Sequence, residues 1–392
     1  MKYSNNSSNR AVVLVSICAG IVGVSYGMYV PIVPVFSTEE LQADYSQVGI
    51  IGMANYLPYM FAPLFVGMLL DRKNKSYVLV AGISLAAGSI FMLSFVRSVP
   101  ELVFYRLLAG VAHALFWPSA EVIISTNSEA NTRVKGIATF TAAWVAGFML
   151  GPLAGKVVLD AYDYRVLFQI ASITAAVAIV PSVLLRSHSA PRVIRATELL
   201  HQSRSGSILQ AGREMARYPA VSAVLLYYAI TFGVVLSIYP AYMGEASLSN
   251  TEIEYLFFAF GISRFATLYF VSRISKYGRV ALALAVASTA VGMLLSYSSN
   301  SPVSFAASLV LIGAATSVFY PVTLSMVTKD TSASQMGQRL GAYETMFGIG
   351  WVIGPLAAGF SSESFGSNAP YLAFFVVGSL LSVALLALAR RR

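Results

Sequence analysis

Along the chain, apolar residues gather into long runs separated by short polar turns. The runs cover residues 11–36, 48–70, 77–96, 102–125, 136–159 and 166–185, then 220–243, 253–272, 280–297, 302–327, 340–360 and 369–389. Each is close to the roughly 20 residues that a helix rising about 1.5 Å per residue needs to cross a hydrocarbon core about 30 Å thick. A barrel strand would need only about ten residues with alternating faces. The pattern therefore predicts an all-α membrane protein with twelve transmembrane helices. The first run follows a polar start and leads into no small-residue cleavage site, so it reads as a retained span rather than a signal peptide.

Composition narrows the class further. Of 392 residues, 57% are hydrophobic and 11% charged, with a mean hydropathy of +0.71; soluble domains carry roughly 25% charged residues. Short turns leave no room for a sizeable extramembrane catalytic domain. The single cysteine, Cys18, lies inside the first run and can form no disulfide framework.

The 26 Lys and Arg residues are unevenly placed. Arg97, Lys156 and Arg165 fall on the face opposite the termini, Arg106 and Arg264 lie inside runs, and all the others fall on the face that carries both termini. Basic residues in short loops favour the cytoplasmic side, so both termini are expected in the cytoplasm, with the protein in the plasma or inner membrane. The net charge of +9 is then a topology signal and a match to anionic lipid, not a nucleic-acid footprint. The one long connection is rich in Arg and Ser. It divides the chain into an N-terminal six-helix bundle (1–186), a cytoplasmic linker (187–219) and a C-terminal six-helix bundle (220–392). Within it, residues 208–218 read either as a short surface helix or as a solvated tether.

A repeat supports this division. A shift of 203 places Gly110, Ala112, Phe116 and Pro118 on Gly313, Ala315, Phe319 and Pro321. The same shift places Gly147, Gly151 and Pro152 on Gly350, Gly354 and Pro355, and Trp117 on Tyr320. Parallel repeats of this kind fit a transporter whose two bundles rock about a site near the midplane.

Three motifs add a resemblance. Gly67-Met68-Leu69-Leu70-Asp71-Arg72-Lys73-Asn74-Lys75 resembles the GxLxDRxGRK signature of the major facilitator superfamily, with a degraded copy at Ser275, Lys276, Gly278 and Arg279. Arg106 with Gly110 resembles the family's RxxxG motif. Gly147, Gly151, Pro152 and Gly155 resemble its GxxxGPxxGG element, with Lys156 in place of the last glycine. The resemblance implies a fold of two pseudo-symmetric six-helix bundles and is strongest toward the drug and metabolite proton-antiporter branch. It implies that Asp71, beside Arg72, latches the halves on the cytoplasmic side against the start of the eleventh span near Arg339, and that Gly67 lets the second and eleventh helices approach. Read from the residues alone, Asp71 and Arg72 also fit a solvated turn. Gly147 to Pro152 read mainly as a small-residue helix contact with a kink.

The fourth run carries a polar stripe. At about 100° per residue, Arg106, Gly110, His113, Trp117 and Glu121 share a face about 80° wide. A charge at the bilayer centre costs about 2.5–3.5 kcal/mol on insertion scales, so this face is expected to meet protein or a wet cavity. His113 reads equally as a neutral core histidine, and Glu121 as the partner of Arg72, Arg133 or Lys135. Arg264, in the eighth run, needs a partner its own helix lacks. Glu344 reads as the one acid inside a second-half span, hence a candidate for Arg264 or for a proton. Tyr29, Asn55, Tyr59, Tyr228, Tyr239, Tyr320 and Trp351 add polar-tipped or aromatic side chains that serve either helix packing or an amphipathic solute.

The sequence contains no GxxxxGK loop, HExxH, paired cysteines or Rossmann fingerprint. It therefore predicts no metal, cofactor or enzyme activity. The expected function is secondary transport of a small organic solute by alternating access, proton-coupled through His113, Glu121 or Glu344 and directed toward efflux. Its partners would be solute, protons and membrane lipid, and it would act as a monomer. Uptake or uniport of a sugar or organic anion held by Arg106 and Arg264 stays open, as do a lipid flippase, a membrane enzyme and a sensor on the same fold.

Overall fold

A computed structural model of the protein describes residues 2–72, 74–128, 130–185, 208–299, 301–328 and 336–390. The side chains at 2–9, 62–65, 67, 68, 70–72, 130–134, 208–210, 336–338 and 390 lie outside that description. The described residues are helical almost throughout. The first span is Lys2–Tyr29 continued by Ile32–Glu39, followed by Tyr45–Arg72, Lys75–Leu93, Val99–Asn127, Ala130–Leu159, and Tyr164–Val177 continued by Ile179–Leu184. The second half holds Pro219–Ser237 continued by Tyr239–Glu245, then Asn250–Ile274, Arg279–Tyr297, Pro302–Thr328, Met336–Phe365 and Ala369–Arg390. Among the described residues eleven stretches are long and apolar enough to cross a membrane. The remaining long helix is the second, Tyr45–Arg72, where several residues lie outside the description.

Local chemistry explains where these helices start and break. Asn74 accepts a hydrogen bond from the Ser76 amide (3.0 Å) and Asp163 one from the Val166 amide (2.9 Å), capping the third and sixth spans. Ser249 and Glu252 form a reciprocal capping box at the start of the eighth. The first span breaks at Pro31, which has no amide hydrogen to donate, and the seventh breaks at Ile238 beside Pro240. Pro118, Pro152, Pro321 and Pro355 stay inside continuous helices, at matching places in the two halves.

The two halves pack alike. The first helix lies on the fifth as the seventh lies on the eleventh, and the second on the fourth as the eighth on the tenth. The first contact is backbone against backbone. A Cβ at Gly151 would stand 2.5 Å from both the Val24 carbonyl oxygen and the Gly27 Cα, and one at Gly147 would strike the Gly20 carbonyl. In the other half a Cβ at Gly354 would strike the Ile230 carbonyl, and one at Gly350 would stand 2.5 Å from Ala229 Cβ. Without a hydrophobic drive inside lipid, such close approach is how helices associate.

The halves meet along two symmetry-related seams, second span against eleventh and fifth against eighth. At the end far from the termini, called the distal end below, Tyr45 donates its backbone amide to Glu363 (3.0 Å) and its hydroxyl to Glu245. There too, Thr251 donates to Asp160 (2.8 Å) and Asn250 to Tyr164 (2.7 Å). Toward the terminal end the residues of the fifth and eighth spans become more exposed. On the eighth span Glu254 and Gly261 are buried, Leu268 half-buried and Ser272 exposed; on the fifth, Val145 is buried, Thr141 half-buried and Ala138 exposed. Before the seventh span, Ile208–Met215 forms a short helix with Ala211 and Met215 buried, packed on the eleventh. Of residues 208–218, the first eight are helical and rest on the eleventh span.

Gly151→Val tests the backbone contact. It should lower the thermal midpoint of purified protein by the equivalent of about 1–3 kcal/mol, the usual cost of overpacking. Gly88→Val, where a side chain meets nothing within 4 Å, should leave it unchanged.

Candidate central site

The polar stripe of the fourth span points into the protein. Gly110 lets that helix ride against the second, since a Cβ there would collide with the Asn55 carbonyl and stand 2.9 Å from Pro58 Cδ. One turn away Arg106 is only 2% exposed, with its guanidinium 6.0 Å from the centre of the Tyr29 ring and its Nε and Nη1 unpartnered. His113 sits in an aromatic nest: Tyr26 and Trp144 at 5.2 Å, Trp117 stacked at 6.3 Å and Tyr59 at 6.5 Å between ring centres. The Trp117 indole lies beside Glu121. Among the described residues Glu121 makes no ion pair with Lys135, the expected partner that the description covers.

The second span brings Asn55, Tyr56 and Tyr59 to the boundary between the halves. Asn55 donates to the Tyr26 hydroxyl (3.2 Å), leaving its own carbonyl oxygen unpartnered. Tyr56 and Tyr59 pack on Trp351 of the eleventh span at 4.7 and 5.9 Å. Trp351 also meets Phe347 at 4.7 Å and Phe232 at 5.8 Å, while its indole nitrogen is buried without an acceptor. Rings in contact thus run without interruption from Arg106 through Tyr29, Tyr26, His113, Tyr59, Trp351 and Phe232 to Arg264.

Arg264 differs from expectation. Its guanidinium faces Phe232 (4.9 Å), Phe260 (5.5 Å) and, across the seam, Phe148 (5.9 Å). Cation–π contacts of this kind contribute about 0.5–2 kcal/mol each and stand where a carboxylate was expected. Glu344 is not its partner. Its carboxylate accepts from the Tyr320 hydroxyl (2.7 Å) and lies 3.5 Å from that of Tyr59. Glu344 and Glu121, from opposite halves, are close enough for their charges to interact.

Other predicted residues fall elsewhere. Tyr228 stacks on Phe319 at 5.0 Å and borders the cluster through Phe232 and Phe347. Tyr239 lies toward the distal end of the second bundle, in a buried hydroxyl network with Ser308 (3.0 Å) and Ser296 (2.8 Å), apart from the central rings. Gly147, Gly151 and Pro152 serve the contact between the first and fifth helices. Gly67, Asp71 and Arg72 belong to the last turns of the second helix, but their side chains lie outside the described residues, and the latch falls with them. Arg339 stacks on Tyr218 and donates to its hydroxyl (2.7 Å).

Glu344 is not the one acid inside a second-half span. Glu254 lies in the helix Asn250–Ile274, fully buried, with neither carboxylate oxygen partnered. Its position next to the polar Ser249–Glu252 start makes it read as loop edge. The signal available was Phe257, Gly261 and Arg264, which at helical spacing place it on the same face as the unpaired arginine.

Comparison with known proteins agrees with this architecture. A sequence profile described as the Major Facilitator Superfamily matches residues 15–245 and 221–392. The chain is 24% identical over 353 residues to the uncharacterized MFS-type transporter MJ1560 of Methanocaldococcus jannaschii, covering 87% of this chain and 88% of that one. It is 23% identical over 364 residues to the multidrug resistance protein MdtG of Escherichia coli, covering 89% and 87%. Among solved structures, the nucleoside transporter NupG superposes with a TM-score of 0.75 at 14% identity over 96% of this chain and 98% of that one. A bacterial homologue of the human lysosomal transporter Spinster, inward-facing and unoccupied, gives 0.69 at 14% over 99% and 97%. With twelve helices in two matching bundles and the profile spanning nearly its whole length, this chain belongs to the major facilitator superfamily.

Proposed function

We propose that the protein exports an amphipathic, cationic organic solute by alternating access, in exchange for protons. The observation that carries this reading is the boundary between the halves, where Tyr56, Tyr59, Trp351 and Phe232 stack around a shared centre and Glu121 and Glu344 approach from opposite bundles. Aromatic faces bind the apolar body of such a solute and attract its positive charge, and the two carboxylates supply counter-charge. Protonation of either acid removes that charge, so proton and solute compete. The resemblance to a multidrug resistance protein supports the same direction. At the distal end the halves are joined by side-chain hydrogen bonds across both seams, which supports an inward-facing state once the terminal face is taken as cytoplasmic. Residues 1–186 and 220–392 are then the rocking bodies of a monomer in the inner membrane, joined by 187–219, and His113 is a further proton carrier beside the solute. Arg264, held by rings instead of an acid, favours a second reading: uptake of an organic anion or a nucleoside-like solute.

Thermal-shift titration of purified protein separates these readings, since a ligand of the folded state raises its stability. Tetraphenylphosphonium should raise the midpoint, and less so as pH falls. Glu344→Gln and Trp351→Ala should each weaken binding about tenfold or more, near 1.4 kcal/mol. Stabilisation by uridine or an organic anion, lost in Arg264→Ala, would replace the efflux reading with the second. For topology, a C-terminal fluorescent-protein fusion should fluoresce and a C-terminal alkaline phosphatase fusion should be inactive. The reverse result would invert the orientation.

A further inference from the structure

The central acids leave one buried carboxyl without a role. Glu254 is 0% exposed and its Oε1 and Oε2 have no hydrogen-bond partner. It stands on the fifth–eighth seam near the distal end, in a notch that exists because residue 155 is glycine. Oε1 is 2.5 Å, and the Met28 carbonyl oxygen 2.9 Å, from the point where a Cβ at Gly155 would lie. Two helices of one half and one of the other thus close around a single carboxyl.

The described charged groups at the distal end of the elements packed against it are engaged elsewhere. On the fifth span, Lys156 pairs with Asp160 and lies over the Tyr255 ring at 5.4 Å. Hydrogen bonds from Lys156 and Thr251 hold the Asp160 carboxyl below the usual carboxylate range, so Asp160 stays ionised. Glu39, ending the first span, accepts from the Tyr164 hydroxyl, which in turn accepts from Asn250. Glu245, ending the seventh, accepts from Tyr45 and Ser367. The tenth span, Pro302–Thr328, contains no charged residue. On its own helix, Glu252 is consumed by the capping box, and Arg264 lies ten residues away, about 15 Å along the axis. Glu254 lies beyond the capped first turn and takes no backbone amide.

An ionised carboxylate buried with no partner costs several kcal/mol, whereas a neutral carboxyl costs far less. The closed seam therefore requires the neutral form. When the seam parts, Gly155 and Met28 move away, water reaches Oε1 and Oε2, and the proton leaves to the distal side. We propose that Glu254 is a proton-binding site whose occupancy shuts the distal seam. Protonated, it lets the eighth span close on the fifth; ionised, it holds them apart. The site rests on the alternating-access reading but not on which solute is carried. Because the closed state binds one proton more than the open one, the closed-to-open ratio rises as distal pH falls, by about tenfold per unit at most.

Pulsed electron paramagnetic resonance on the full chain in nanodiscs tests this without any solute. In a Cys18→Ala background, spin labels at Tyr162→Cys and Ser364→Cys, both exposed on distal ends of opposite halves, report the seam. In otherwise unaltered protein, the short-distance population should fall as pH rises from 5.5 to 8.5. In Glu254→Gln, and in Glu254→Leu should the first variant fold poorly, it should stay high at every pH. A pH response equal in size with and without the carboxyl would overturn the site, as would no response at all. Failure of every solute in the thermal-shift panel would leave this readout intact, so the two readings fail separately.

Discussion

Helices in a bilayer gain little by hiding apolar surface from one another, so the contact that organises this protein is the one where side chains are missing. The first helix presses its backbone onto the fifth over Gly20, Gly23, Gly27, Gly147 and Gly151, and the seventh meets the eleventh in the same way. These interlocks hold the helices of each half together, and they fix which faces remain for the boundary between the halves. The second, fifth, eighth and eleventh spans line that boundary because their neighbours are already occupied elsewhere.

The expensive side chains lie at this boundary or, for Arg106, inside the first half. Each is accommodated by different chemistry. Arg106 rests against Tyr29, Arg264 lies among three phenyl rings, and Glu344 is held by tyrosine hydroxyls. None relies on a fixed ion pair between the bundles. A strong pair there would tie the bundles together, whereas ring contacts slide and hydroxyls rotate. The arrangement keeps charge inside the membrane without an ion pair joining the halves at these residues.

Much of the architecture was legible because helix-length apolar runs and a constant repeat offset are properties of single residues summed over long windows. The fourth-span stripe was legible for the same reason, since helical spacing alone aligned Arg106, His113, Trp117 and Glu121. Partnerships were not. Nothing in local sequence distinguishes an arginine caged by Phe232, Phe260 and Phe148 from one paired with Glu344, because those rings come from three helices in two halves. Glu254 escaped notice because it lies just after the polar run Ser249–Glu252 and its burial is created by Gly155 nearly a hundred positions earlier. Tyr239 was misplaced because a tyrosine on a helix face looks the same whether it ends in a solute site or in a serine network.

The distal closure is built from bonds that individually hold little. Thr251 on Asp160, Asn250 on Tyr164 and Tyr45 on Glu363 lie at or near the surface, where water competes for each. Each contributes only about 0.5–1.5 kcal/mol net. A barrier assembled from such small steps is like a zip with shallow teeth: it yields to ordinary thermal agitation, one tooth after another, yet holds while most are engaged. Substitutions at these helix ends would therefore loosen or tighten the contact one residue at a time, without touching the rings at the centre.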